Sequence, residues 1–353
     1  MRLGVLLTPG RQAGRLSRLA EDLGFESVWF VDSPAVFGDP FVSMAVAATT
    51  TEWIKLATGV INPVSRPAAL AAASLCSIEA LAPGRVMAGV GVGHTGVVVL
   101  GLRRGRSEQL ATYVRDLRVL TGGGEVTTAS GARQRLPPDQ PDSLAVGRSL
   151  PIVVAAAGRR NLKIAVEQAD EVLLGGITDP AIISRVRAEL VAWAAAAGRP
   201  EAAGRLSITP SVFLARHRPS LDELRWKVGP KSLAPALSYR RWVQEVYGDA
   251  SPLGRQVQAI AAAYASAETS AKRGRSEHLD RYRGYMSRLE PWQVELITEE
   301  LIALTAVVGT PEDWLERLAH LERIGIHRVI LSPIPSLAEQ TIRDCGALVL
   351  PHL

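Results

Sequence analysis

The stretch IKLATGVINPVSRPAALAAASLCSIEALAPGRVMAGVGVG occupies residues 54–93. It holds an apolar run at 54–59, a turn of Gly, Ile, Asn and Pro, an alanine-rich segment opened by Pro67, and a second apolar run at 85–90. Proline suits the first position of a helix, where no N–H is required. Both runs are apolar on both faces, as strands covered from two sides must be. The stretch therefore reads as one βαβ unit with a parallel strand pair.

The same rhythm continues in both directions. Residues 3–8 read as strand one and 14–23 as an amphipathic helix with Leu16, Leu19, Ala20 and Leu23 on one face, stopped by Gly24. Residues 27–31 form strand two and 40–50 the next helix; a helix at 106–120 follows strand four. A Gly- and Pro-containing surface excursion covers 121–149. Strands five and six lie at 151–156 and 171–174, their helices at 161–169 and 180–197, and strand seven at 206–215. Residues 219–299 interrupt the alternation with a charged helical segment carrying Trp226, Trp242, Tyr247, Tyr264, Tyr282, Tyr285 and Trp292, which suits a lid or a dimer surface. Thr310-Pro311-Glu312-Asp313 opens another helix with a capping Thr, Pro at its first position and acids in its first turn. Gly325 closes it, 328–331 is strand eight, and a last helix follows at 336–350. Eight strands alternating with helices specify an α/β fold: a (β/α)8 TIM barrel forming one domain over 1–353, with a helical insertion before its last unit. A doubly wound open sheet is the competing arrangement.

Composition narrows the class. The chain has 353 residues, 47% hydrophobic and 21% charged, enough to bury a large core without a metal or disulfide. Cys76 and Cys345 are far apart and lack CxxC spacing, which fits thiols in a cytoplasmic protein. The net charge of +5 is spread along the chain. Its two clusters, Arg103 to Arg106 and Lys272 to Arg275, are not interleaved with aromatics, so the pattern points away from nucleic acid. No spanning segment, HExxH, GxSxG or Cys/His cluster occurs, which argues against membrane, metal and serine-hydrolase readings.

In a barrel the chemistry sits where strands end. Strand two ends at Asp32-Ser33, where a carboxylate orients a ligand, relays a proton or caps the loop. Strand three runs into Gly59-Val60-Ile61-Asn62-Pro63, a sharp turn. Strand four ends in Gly89-Val90-Gly91-Val92-Gly93-His94. Its register is not that of a dinucleotide fingerprint, but its glycines admit a flat ring. His94 is a candidate for hydrogen bonding or proton transfer near neutral pH. After strands five and six, Ala157-Gly158-Arg159-Arg160 and Gly175-Gly176-Ile177 precede helices, where free backbone N–H groups form an anion site or a plain tight connection.

These segments together, GFESVWFVD (24–32), IKLATGVINP (54–63), GRVMAGVGVG (84–93), AAAG (155–158), VVGTPED (307–313) and ILSPI (330–334), resemble the luciferase-like superfamily. The likeness is greatest to its branch of F420-dependent methylenetetrahydromethanopterin reductases, and it covers residues 1–215 and 297–353. The resemblance implies coenzyme F420, or alternatively FMN, at the strand ends. It implies a non-prolyl cis peptide at Gly59-Val60 backing the central ring, with Asp32, Asn62, Gly91, Gly93 and His94 beside the cofactor. Ala157, Gly158, Arg159, Gly175, Gly176 and Ile177 would hold its phosphate. Asp32, Ser33 and His94 are the catalytic candidates, and Ser33 replaces the family's histidine. The implied reaction is hydride transfer between reduced deazaflavin and an activated C=C or C=N bond of a small molecule or peptide, dehydroalanine included. The implied assembly is a homodimer. The alternatives are an FMN-dependent monooxygenase served by a flavin reductase, and a non-catalytic cofactor-binding relative.

Overall fold

The computed structural model describes residues 1–139, 143–271 and 284–353, with no side chain described from 268 to 271. Tyr282, His278 and the basic run at 272–275 lie outside the described residues.

Among the described residues twelve strands follow in chain order: β1 (Arg2–Leu7), β2 (Ser27–Phe30), β3 (Lys55–Thr58), β4 (Val86–Val90), β5 (Glu125–Thr127), β6 (Arg133–Arg135), β7 (Ile152–Ala155), β8 (Glu171–Leu174), β9 (Leu206–Ile208), β10 (Ser211–Leu214), β11 (Ala306–Gly309) and β12 (Ile326–Leu331). Eight of them close a barrel in the order β1-β12-β9-β8-β7-β4-β3-β2, the (β/α)8 architecture expected from the alternation. The chain divides into two compact units, residues 7–172 and residues 1–6 with 173–353.

In the unit 7–172, β2 and β4 are buried along their whole length. The core of this unit is Phe25, Trp29, Phe30, Met44, Leu56 and Leu75, all fully enclosed. Trp29 satisfies its indole N–H on Ser27 Oγ at 3.0 Å. Helices α1 (Ala13–Asp22) and α2 (Pro40–Thr50) cross at Gly14, where a β-carbon would stand 2.9 Å from Val46 Cγ1. α2 begins as its sequence demands, with Pro40 at its first position and Asp39 accepting from the N–H groups of Phe41 and Val42. Helices α3 (Ala68–Leu81), α4 (Thr95–Val98), α5 (Ser107–Thr121) and α6 (Arg159–Gln168) complete the unit. The surface excursion carries the β5–β6 hairpin.

Carboxylates pin the strand entries of this unit. Glu21, at the end of α1, accepts from the backbone N–H groups of Glu52, Trp53 and Ile54 at 2.7–2.9 Å. Glu79, in α3, accepts from Gly84 at 2.6 Å and Val86 at 3.4 Å. Asp170 accepts from Ile152 at 2.8 Å and pairs with Arg118. A carboxylate so engaged closes the open amides at the start of a strand and fixes where the strand begins.

In the second unit, β10 and β11 form a separate parallel pair. This corrects the reading of 206–215 as one strand. Pro210 has no N–H to give to a ladder; it accepts from Ser332 N at 3.1 Å instead, and the chain leaves the barrel after β9. Helix α7 (Pro180–Ala196) is followed by α8 (Leu221–Lys227), α9 (Leu233–Tyr247), α10 (Pro252–Ala271), α11 (Pro291–Val294) and α12 (Glu299–Thr305). α13 (Pro311–Arg323) has the expected capping box, Thr310 with Asp313, and buries Trp314 completely. Gly325 ends it at φ +96. α14 (Ala338–Leu348) closes the chain's helical series. Among the described residues no helix is long and apolar enough to cross a membrane.

Burial alone would raise the Glu21 carboxyl pKa, but the N–H groups of Ile54, Trp53 and Glu52, with Arg18, hold it below its ordinary value. The stabilisation is therefore full above the ordinary value of 4.5 and fades as pH falls through the lower folded-state value. Glu21→Gln, which leaves backbone amides short of an acceptor, is expected to destabilise by about 1–3 kcal/mol in urea unfolding at neutral pH, with the gap to wild type closing in acid.

Candidate functional site

In the unit 7–172 the ends of β2, β3, β4 and β7 carry most of the residues singled out by sequence. Asp32 follows β2 with its side chain wholly buried. Arg66 grips both of its oxygens, Nε to Oδ2 at 2.8 Å and Nη2 to Oδ1 at 2.9 Å. The same Nη2 reaches Asp39 Oδ2 at 2.7 Å, and the guanidinium lies 4.9 Å from the Phe41 ring centroid. Burial pushes the Arg66 pKa down, and the two carboxylates more than reverse this, raising it above its ordinary value. With both oxygens held, Asp32 serves to orient its surroundings. Ser33 beside it is buried, its carbonyl accepting from Val36 and Phe37.

Past β3, the Gly59–Val60 peptide bond is cis. Ile61 N donates to Gly89 O, and Gly91 N donates to Ile61 O, both at 2.9 Å. Asn62 is buried, and its amide is engaged in its own loop: Oδ1 accepts from Val64 and Ser65 N–H, and Nδ2 donates to Ser65 Oγ. It therefore braces the loop and leaves little polar capacity for a ligand. A β-carbon at Gly91 would stand 3.0 Å from Val60 Cγ2 and 3.6 Å from Ala155 O, so the ends of β3, β4 and β7 meet here. Gly93, at φ +77, lies against Asn62 and Val97; only a residue without a side chain fits that turn. Gly96 abuts the Asp32 carbonyl. His94 is exposed at the head of α4, on the outer part of the loop.

After β7, Gly158 is the exposed N-cap of α6 and Arg159 its first residue, two positions earlier than the sequence reading placed the helix. Ala157 is half-buried before it. A β-carbon at Gly158 would meet nothing within 4 Å. In the first turn, Asn161 Oδ1 is buried with no hydrogen-bond partner.

Sequence reasoning missed two members of this site. Arg66 stands just before Pro67, where the helix after strand three opens, and its one sequence signal is an arginine in the loop that follows that strand. Tyr113, on α5, buries its hydroxyl without a partner. Its pKa is driven up first by burial and then by the Asp32 charge, with Arg66 opposing. The polar atom is thus within electrostatic reach of the ion pair.

The loop after β8, in the other unit, differs from its sequence-based role. Gly175 N donates to Tyr239 Oη at 3.1 Å, Ile177 N to Gly175 O at 2.7 Å, and Thr178 N to Leu304 O at 2.8 Å. Pro235 covers Gly176 at 2.8 Å from where a β-carbon would sit, and Ile177 is fully buried. Of the amides expected to cradle an anion there, those of Gly175 and Ile177 already have protein acceptors.

Residues 4–328 match the family described as luciferase-like monooxygenase. The chain is 25% identical to 5,10-methylenetetrahydromethanopterin reductase of Archaeoglobus fulgidus, with 100% of both chains covered. Among solved structures, it is similar to coenzyme F420-dependent tetrahydromethanopterin reductase from Methanopyrus kandleri, with TM-score 0.71, 19% identity and 99% of each chain covered. It is also similar to the oxygenating constituent of 3,6-diketocamphane monooxygenase from Pseudomonas putida in complex with FMN, with TM-score 0.65, 16% identity, and 100% and 99% covered.

Arg66→Met leaves the Asp32 carboxylate buried and unpaired, an arrangement that costs about 3–5 kcal/mol. Chemical denaturation should show that loss, and the double variant carrying Asp32→Asn as well should recover part of it.

Proposed function

The chain belongs to the luciferase-like monooxygenase family of oxidoreductases, and from that premise we propose an F420-dependent reductase acting on an activated C=C or C=N bond of a small molecule or peptide. The observation that carries this reading is the strand-end wall of the unit 7–172. Gly59-Val60 and Gly91 offer a flat ring backbone and a single apolar side chain, and a β-carbon at Gly91 would press on Val60 Cγ2 and displace it. The unpartnered Tyr113 hydroxyl and Asn161 carbonyl oxygen supply polar atoms that a ligand can satisfy. Full-length similarity to a named reductase supports F420 over FMN.

Val60, Gly91 and Gly93 would back the ring, and the N-terminus of α6 at Gly158-Arg159, with its positive dipole end, would take a phosphate. The reduced deazaflavin supplies a hydride when bound. The protein's own residues do the rest. The Asp32–Arg66 pair keeps the loops after β2 and β3 in register, so that the wall is formed before a ligand arrives. Ser33, where the family has histidine, offers a neutral hydroxyl to the ring edge. His94, exposed at the head of α4, is the remaining candidate for proton transfer. Dehydroalanine in a peptide is a substrate of the proposed class, and the buried, unbridged thiols Cys76 and Cys345 suit a cytoplasmic enzyme.

The test is titration with F420, followed by quenching of its fluorescence. Micromolar binding is expected, reduced at least tenfold in Gly91→Val. FMN binding without F420 binding would instead favour the monooxygenase and its flavin reductase partner, and binding of neither would make the chain a non-catalytic relative; each result overturns the proposal.

We also propose that the enzyme is a homodimer through α2 and α3. Val42 and Leu70 are 64% and 66% exposed on these helices, with Val46 beside them, an apolar face suited to a second copy. Light scattering should give twice the chain mass, reverting to one chain mass in the Val42→Glu, Leu70→Glu double variant. A monomeric wild type contradicts this.

A further inference from the structure

Gly105 N donates to Val92 O at 3.0 Å, which draws residues 92–105 into a loop closed at its neck. Compact loops with joined ends are frequent carriers of function. Inside this one Val97 and Val99 are buried, and hydrogen bonds from Leu100 N to Val97 O and from Gly101 N to Val98 O fix its far side. Gly96 abuts the Asp32 carbonyl, and a β-carbon at Gly105 would stand 3.3 Å from Pro63 Cγ and 3.4 Å from Val64 Cγ2. The loop is therefore seated on the exits of β2 and β3, within the unit 7–172. Its neck residue, Val92, lies between Gly91 and Gly93 of the ring wall.

Outward it turns Leu100, Leu102, Arg103, Arg104 and Arg106, all exposed, the two leucines by 40% and 46%. Among the described residues neither Arg103 nor Arg106 has a carboxylate within ion-pair distance. Arg18, Arg115, Arg118 and Arg133 of the same unit each hold one. The sequence supplies the reason: no Asp or Glu occurs between Glu52 and Glu79, nor between Glu79 and Glu108. The acids at the neighbouring β2 exit, Asp32 and Asp39, are both held by Arg66. Exposed Glu108, at the start of α5, is one acid against three guanidiniums. Apolar surface rimmed by charge marks an interaction site, and clustered arginines recognise carboxylates through paired N–H donors.

This positive site is separate from the one at α6. In the barrel order β2-β3-β4-β7, α6 follows β7, whereas the loop leans on β2 and β3. A cofactor whose phosphate sits at α6 leaves the loop to the substrate. We propose that the loop binds substrate carboxylates, so that the reductase described above, on whose reading this inference rests, acts on an acidic peptide. Arg103, Arg104 and Arg106 meet its carboxylates, and Leu100 and Leu102 meet apolar side chains beside the reducible C=C bond.

Binding is measured first, on the whole protein without cofactor, by the anisotropy of a fluorescent peptide in which leucines and glutamates flank a dehydroalanine. Binding should weaken as salt rises, and by about tenfold when glutamines replace the glutamates, as a few exposed ion pairs of modest strength predict. The triple variant Arg103→Gln, Arg104→Gln, Arg106→Gln should lose about as much. Equal binding of the glutamine peptide, or undiminished binding by the triple variant, overturns the proposal. So does an oligothymidylate of equal charge that binds as tightly, which would show an unselective positive surface. Loss of F420 affinity in the triple variant would give the loop to the cofactor's own carboxylates and overturn it too. Turnover with reduced F420 then separates this inference from the one beneath it. The acidic peptide should show a kcat/KM about tenfold above its glutamine counterpart, with the difference in KM. Two peptides reduced equally well overturn the role of the loop and leave the reductase reading standing. Arginine-dependent binding without reduction of either peptide or of N-acetyldehydroalanine methyl ester overturns the reductase reading, and the substrate assignment with it.

Discussion

No methyl group can be placed on Gly89: it would meet the Thr58 carbonyl oxygen on the neighbouring strand and press on the Trp29 ring. That one absence lets β3 and β4 run close enough for Thr58 Oγ1 to donate to Gly89 O at 2.8 Å, and for Ile61 N to share the same carbonyl. The pairing then continues beyond both strands, through Gly91 N to Ile61 O and the bridge between Ile61 and Val90. A backbone that stays hydrogen-bonded after its strand has ended needs no side chains to hold it. The wall formed by Gly59-Val60 and Gly91 can therefore be bare, which a site for a flat ring requires.

The two ends of the strands in this unit obey different rules. At the entries, Glu21, Glu79 and Asp170 accept from backbone amides, so charge is used to fix where strands begin. At the exits, Asp32 accepts from a side chain, Arg66, which also holds Asp39 at the start of α2. The entry arrangement serves stability. The exit arrangement ties loops that are far apart in sequence to each other, and does so with a charge pair able to polarise a neighbouring ligand. Segregation of this kind is the rule in barrels, where the C-terminal ends carry function.

Much of this was legible in the sequence because it is local. The apolar runs at 27–31 and 85–90, Pro40 after Asp39, and the Thr310-Pro311-Glu312-Asp313 cap are each decided within one turn or one strand. What escaped was decided across distance. The run at 206–215 reads as one strand, whereas Pro210 within it marks where β9 ends and β10 turns to pair with β11, more than 90 residues on. Arg66 carries no pattern of its own; its meaning comes from Asp32, 34 positions earlier. The glycines at 175 and 176 matched an anion loop in type and position, but Tyr239 takes the Gly175 N–H and Leu304 that of Thr178, which no local pattern could reveal.

The same contrast bears on the helical segment between 219 and 299. Read as sequence, it is an addition to a repeating fold, notable for aromatic residues. In the structure its α9 end is joined to the loops after β8 and β12 by polar contacts as well as by packing: a tyrosine hydroxyl on an amide, and an ammonium on a carbonyl. Apolar packing alone would hold a cover of almost any register, since it is non-directional. Hydrogen bonds to particular backbone atoms hold one register only. They place the segment's Lys231 at the end of a barrel strand. The polar contacts, more than the packing, therefore fix where the segment meets these two loops.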